Sequence, residues 1–236
     1  MEVAVTQFDA RTLTPAELAR MIQFTNVRPW AAREDIIRHL EVCASYGFDG
    51  AMIANCWVPL GKEVLAGSGV KVATCIGLGF GQESLHGKIA LVRECVALGA
   101  DEIDYEPNMA LFLSGMYDEF REEGRQLVLA SDGHAMKAML EFGYLKTDGE
   151  KRHAAGLLAE AGVPWIKNSS GWGEGGIAAN EHDMRLLREV CKGTSSRVKA
   201  SGQVNTYERA VEMLNAGAEL IGTSTGKTVM DGFHSR

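Results

Sequence analysis

Eight short apolar runs recur along the 236 residues, separated by segments long enough to be helices. They are 21–27 (MIQFTNV), 48–55 (FDGAMIAN), 70–77 (VKVATCIG), 100–107 (ADEIDYEP), 136–142 (MKAMLEF), 164–170 (PWIKNSS), 197–202 (RVKASG) and 219–225 (ELIGTST). Of the intervening segments, 34–47 places Ile36, Ile37, Leu40 and Cys43 on one helical face, and 90–99, 150–162 and 207–217 follow the same spacing to a closing glycine. Strand–helix alternation implies right-handed crossovers and a parallel sheet. Eight such units, in a length close to the ~250 residues typical of the architecture, predict an α/β fold. The specific expectation is a single (β/α)8 TIM barrel, one domain over 1–236, with an extra N-terminal helix begun by Thr14-Pro15 and capping the barrel bottom.

Composition narrows the partners. A net charge of −7 argues against nucleic acid or an anionic membrane as the main partner. No basic-then-apolar leader and no run approaching 18 apolar residues occurs, so the expected location is cytoplasmic. The cysteines, at 43, 56, 75, 95 and 191, are odd in number and form no C-x-x-C pair, which suggests neither a disulfide framework nor a zinc site. No His/Asp/Glu spacing suggests another metal site, and no cofactor is expected.

The period-2 rule then locates the chemistry. If Ile103 and Tyr105, Ala138 and Leu140, Ile166, and Val198 and Ala200 face the helices, then Asp104, Lys137, Glu141, Lys167 and Lys199 face the barrel interior. Adjacent strands lie ~4.8 Å apart, so ammoniums on Lys167 and Lys199 would crowd each other. Repulsion and desolvation both favour a neutral amine there, and a discharged lysine attacks carbonyls to form an imine. Glu102 and Glu106 share the phase of Asp104 and are assigned no role.

GADEID (99–104), IKNSSGW (166–172), VKASG (198–202) and AGAELIGTSTG (216–226) resemble the motifs of the deoxyribose-phosphate aldolases, class I aldolases on a TIM barrel. The likeness runs from about residue 20 to 226, and MKAMLEFGYL (136–145) fits it too. It implies that Lys167 forms the imine with an acetaldehyde-type donor. It implies that Lys199 lowers the Lys167 pKa and moves protons, and that Asp104 shuttles protons through a water. It also implies a small aldehyde or sugar phosphate as partner and assigns Lys137, Ser170 and Gly171 to substrate binding.

The recognition shell departs from the family pattern. Gln23 stands where the family has an aspartate, Asn168 and Ser170 where it has threonines, Gln203 where it has a glycine, and Asn205 where it has an arginine. Gly202, Gly222, Ser224 and Thr225 keep part of an oxyanion cradle. The acceptor aldehyde is therefore expected to differ from glyceraldehyde 3-phosphate or to bind it more weakly. Cys56, Trp57 and Trp172 are expected near the mouth, Cys56 as a lining residue. Two rivals share the barrel: transaldolase-like imine chemistry, and a non-catalytic sugar-phosphate-binding protein. A homodimer is the default assembly.

Overall fold

The computed structural model describes residues 8–234. Eight parallel strands close in chain order: β1 (Ile22–Asn26), β2 (Gly50–Ile53), β3 (Lys71–Ile76), β4 (Glu102–Tyr105), β5 (Ala135–Met139), β6 (Trp165–Lys167), β7 (Arg197–Ser201) and β8 (Leu220–Thr223). β8 pairs back onto β1, so the sheet has no free edge. The helices between strands are α2 (Arg33–Tyr46), α3 (Val58–Val64), α4 (Leu85–Ala97), α5 (Met109–Leu113), α6 (Tyr117–Ala130), α7 (Asp148–Glu160), α8 (Glu181–Cys191) and α9 (Tyr207–Asn215). α10 (Gly226–His234) follows β8.

The expected extra helix is α1 (Pro15–Ala19). Thr14 and Glu17 form a reciprocal capping box, and Pro15 occupies the first turn, where its missing N–H costs nothing. It leads directly into β1, and its Ala19 carbonyl accepts a hydrogen bond from Asp49 N, just before β2. It therefore sits at the N-terminal end of the barrel. Residues 227–234 of the chain's last segment lie on α10, while 235–236 fall outside the described residues.

The main core lies between barrel and helices. Ile103, Tyr105, Ala138, Ile166, Val198, Ala200 and Ile221 are all fully buried in it. Because side chains alternate, their neighbours in sequence must point into the barrel. That is why a continuous apolar cluster on the outside of the strands coexists with lysines and carboxylates on the inside.

Two details differ from the sequence expectation. The fifth strand ends at Met139, and Glu141 lies in the turn beyond it with a left-handed φ of 44°. The sixth strand is only Trp165–Lys167, because Asn168 turns its side chain to the neighbouring backbone. Its amide donates to Ser201 O (3.0 Å) and accepts from Ser201 N (3.0 Å), an imitation of a ladder pair that ties the end of β6 to the end of β7.

Candidate active site

The strand register brings the predicted residues together. Asp104 is level with Lys137 across β4–β5, and Lys167 is level with Lys199 across β6–β7. Asp104 is the hub. Its Oδ2 lies 2.7 Å from Lys199 Nζ and 3.3 Å from Lys167 Nζ, and its Oδ1 lies 3.3 Å from Lys137 Nζ. Lys137 also pairs with Glu102 at 2.5 Å. All five groups are buried.

Three ammoniums facing two carboxylates leave an excess of positive charge in a dry space. Such a cluster relieves itself by giving up a proton. Burial, with Lys167 and Lys137 adding to it and Asp104 opposing, pulls the Lys199 amine down to about 7. Burial alone would raise Asp104; the three lysines outweigh it and hold the carboxyl well below the usual carboxylate range. Glu102 is likewise drawn down to about 2 against its burial, chiefly by Lys137. Lys199 thus sits in surroundings that favour its neutral form.

Above the hub, at the C-terminal ends of the strands, opens a cleft of about 230 Å³. Asp104 and Lys167 reach its floor, beside Cys75, Met52 and Met139. Ser170, Gly171, Gly202, Gln203, Gly222 and Ser224 line its rim. Trp172 lines it too. Gly202, with φ of 101°, meets the backbone of the β6–α8 loop so closely that a Cβ would run into the Ile177 carbonyl oxygen. Gly222 has a second use: a Cβ there would stand 3.1 Å from Lys199 Cε, so its absence makes room for that lysine's stem.

Five residues expected at the site or its mouth stand off the cleft lining. Gln23 and Lys137 lie beneath the cleft and do not line it. Gln23 is fully buried and accepts from Lys199 Nζ (2.7 Å) while donating to Glu102 (2.6 Å) and Asp49 (2.8 Å). An amide can do this because it carries a donor and an acceptor; a carboxylate would face two others unprotonated. Cys56 is exposed on a short 3-10 turn after β2, and Trp57 packs against the core; neither lines the cleft. Cys75 does line it, because it is level with Asp104 across β3–β4. Thr225 also stands off the lining, its N–H taken by Thr223 Oγ1 at 3.1 Å.

Sequence reasoning passed over Glu102, Cys75 and Asn168 as members of the site. Glu102 shares the phase of Asp104, but only the register shows Lys137 beside it. Glu141 also serves the site from outside the strand. Its buried carboxyl accepts from Ser170 N (2.6 Å) and Ser169 Oγ (3.1 Å), which holds the loop beyond Lys167. Burial raises its pKa against those hydrogen bonds.

A closed parallel barrel with a buried lysine–carboxylate centre beneath a C-terminal cleft defines an enzyme of the lysine-dependent (β/α)8 class. No family model matches the chain. It is 37% identical over 216 residues to the deoxyribose-phosphate aldolase of Dictyoglomus turgidum, spanning 92% of this chain and 97% of that one. The deoxyribose-phosphate aldolase of Thermococcus gammatolerans is also 37% identical, over 220 residues, 92% of this chain and 96% of that one. The deoxyribose phosphate aldolase of Aeropyrum pernix, a structure described as tetrameric, superposes with a TM-score of 0.85 at 27% identity, covering 94% of this chain and 93% of that one. The chain belongs to the deoxyribose-phosphate aldolase family, and is a carbon–carbon lyase of the class I aldolase type.

Proposed function

We propose that the protein catalyses reversible aldol cleavage through an imine on Lys167, with an acetaldehyde-type fragment as donor and Lys199 and Asp104 handling protons. The observation that carries this reading is the shared oxygen: one Asp104 Oδ2 touches both Nζ atoms, at 2.7 and 3.3 Å, while only Lys167 of the two reaches the cleft. A proton on Lys167 can pass by way of Asp104 to Lys199, which is depleted near neutrality. Lys167 is then a free amine facing the substrate carbonyl.

The amine nitrogen adds to the carbonyl carbon, and the oxygen takes a proton. The resulting carbinolamine hydroxyl takes a second proton and leaves as water, giving an iminium. In cleavage, the hydroxyl β to the imine carbon loses its proton and the C–C bond breaks. Its electron pair flows into the iminium to form an enamine, and the acceptor aldehyde departs. Protonation of the enamine carbon and hydrolysis of the imine release the donor and restore Lys167. Buried acids and bases with displaced pKa values suit these transfers.

Incubation with acetaldehyde and borohydride tests the reading. The expected result is a reduced two-carbon adduct on Lys167, located by peptide mass spectrometry. An adduct confined to another lysine, or none at high aldehyde, would overturn it.

The pH dependence follows from Lys199. Imine formation should fall as pH drops below about 7, where Lys199 holds its proton and cannot receive that of Lys167. The stability consequence has a definite sign. The Lys199 amine titrates near 7 when folded and near 10.5 when unfolded, so between those values the unfolded chain binds the extra proton and stability rises with pH. The native Tm should therefore gain between pH 7 and 9 relative to that of Lys199→Met, measured by calorimetry. A parallel pair of Tm curves would remove Lys199 as the depleted group.

We further propose that the protein works in the cytoplasm as a homodimer. All five cysteines are free, which suits a reducing compartment, and no described helix is long and apolar enough to cross a membrane. Self-association is supported by the tetrameric relative, and a two-fold dimer is the simplest closed form.

A further inference from the structure

The floor and the rim of the cleft differ in electrical character. Asp104 and Lys167 are the charged residues among those lining it, and both are engaged with each other at the floor. The rim carries none. Lys227, the next cation along the chain after β8, is on α10 and paired with Asp231 at 2.6 Å.

On the β6 side of the rim, three backbone donors are also spoken for. Ser170 N is held by the Glu141 carboxyl at 2.6 Å, Gly171 N by Ser169 Oγ at 3.0 Å and Trp172 N by Ser170 Oγ at 3.0 Å. Behind the rim lies a second buried carboxyl, Glu106, which binds Gly79 N at 2.6 Å and is raised to about 7 by burial and by Glu141. Above that pH it too is negative. A phosphate dianion entering here meets no positive side chain at the rim and, on the β6 side, N–H groups already bonded to Glu141, Ser169 and Ser170.

What the rim does present is neutral. Gln203 and Asn205 are exposed residues that flank the buried Val204 and line the cleft, Asn205 Oδ1 accepting from Thr225 Oγ1 at 3.4 Å. Gln203 adopts a left-handed φ of 55°, a conformation that costs a side-chain-bearing residue about 1 kcal/mol and is kept here only by its surroundings. The same lining includes Trp172, 40% exposed, and Leu78. Amides that both donate and accept, set against an exposed indole, match the hydroxyls and C–H faces of a neutral polyol.

We infer that the acceptor end of the cleft takes an uncharged hydroxyaldehyde, bound by amide side chains and an indole face, in preference to a phosphorylated one. In the cleavage direction the substrate is then an unphosphorylated deoxy sugar. This inference rests on the aldolase reading above.

The test compares kcat/KM of the full chain for cleavage of 2-deoxyribose and of 2-deoxyribose 5-phosphate, with acetaldehyde–borohydride trapping run in parallel. Two charge-assisted hydrogen bonds to a phosphate would favour the phosphorylated sugar by about 100-fold. The expected result is a kcat/KM for 2-deoxyribose above that for the phosphate, with Trp172→Ala lowering the former by about tenfold, one aromatic contact's worth. Trapping on Lys167 together with an equal or higher kcat/KM for the phosphate, or with cleavage of neither sugar, would overturn the acceptor assignment and leave the imine chemistry standing. A Trp172→Ala variant that cleaves 2-deoxyribose as well as the native protein would remove the indole from it. Failure to trap at all would remove the aldolase reading and this inference with it.

Discussion

Lys167→Ala is expected to abolish the borohydride-trapped adduct and to lower kcat/KM for cleavage by at least about ten-thousand-fold, the scale on which loss of a covalent nucleophile is felt. Lys199 and Lys137 cannot stand in for it. Both are buried, neither lines the cleft, and the stem of Lys199 is committed to the space left by Gly222. The variant should nonetheless fold. Asp104 keeps Lys199 at 2.7 Å and Lys137 at 3.3 Å, and removing one of three clustered ammoniums lessens the local excess of positive charge. A Tm within a few degrees of native, beside a lost activity, is therefore the expected pair of measurements. Residual cleavage above about one per cent, against a four-decade loss on this scale, would mean that another amine carries the reaction.

Asp104→Asn should damage activity and stability together. The amide has nearly the shape of the carboxyl, so the change removes charge more than volume. Of the three buried lysines, only Lys137 would keep a carboxylate partner, Glu102, which already serves Lys71 and Gln23. Breaking a buried ion pair from one side costs about 3–5 kcal/mol. For a chain of this size that is about 6–20 °C in Tm. Activity should fall by about a hundred- to ten-thousand-fold, the usual range for a group that moves protons in the transition state. Calorimetry and steady-state kinetics on one preparation would separate the two effects. An unchanged Tm would show that the lysines are not held by this carboxylate.

The barrel was legible because its signal is repeated eight times. Each apolar run and each helical spacing is weak evidence alone, but strand–helix alternation over the whole chain admits few folds. The inward phase of Asp104, Lys137, Lys167 and Lys199 was legible for a related reason: burying Ile103, Ala138, Ile166 and Val198 against the helices forces their neighbours inside. Thr14 with Pro15 similarly announced α1, since a cap is a local device.

Depth within the barrel was not legible. Gln23, Lys137 and Lys167 share an inward direction, yet only Lys167 reaches the cleft. Phase says which way a side chain points, while height along the axis depends on the register between strands, which no single strand encodes. Cys56 and Cys75 show the same limit. Proximity of Cys56 to the end of a strand suggested the mouth, but the β3–β4 register put Cys75 there. Glu141 was misplaced because its strand stopped early, when its carboxyl found the Ser169 and Ser170 donors of a loop about 30 residues away.

Periodicity and motif order in the chain alone were thus enough for the fold and the family, because these depend on local alternation and on residue type. The depleted amine, the members of the cleft and the neutral character of its rim were decided by tertiary structure. These are properties of distance and burial among residues from different strands, where a few ångströms of register determine which lysine reaches the cleft and which lies beneath it.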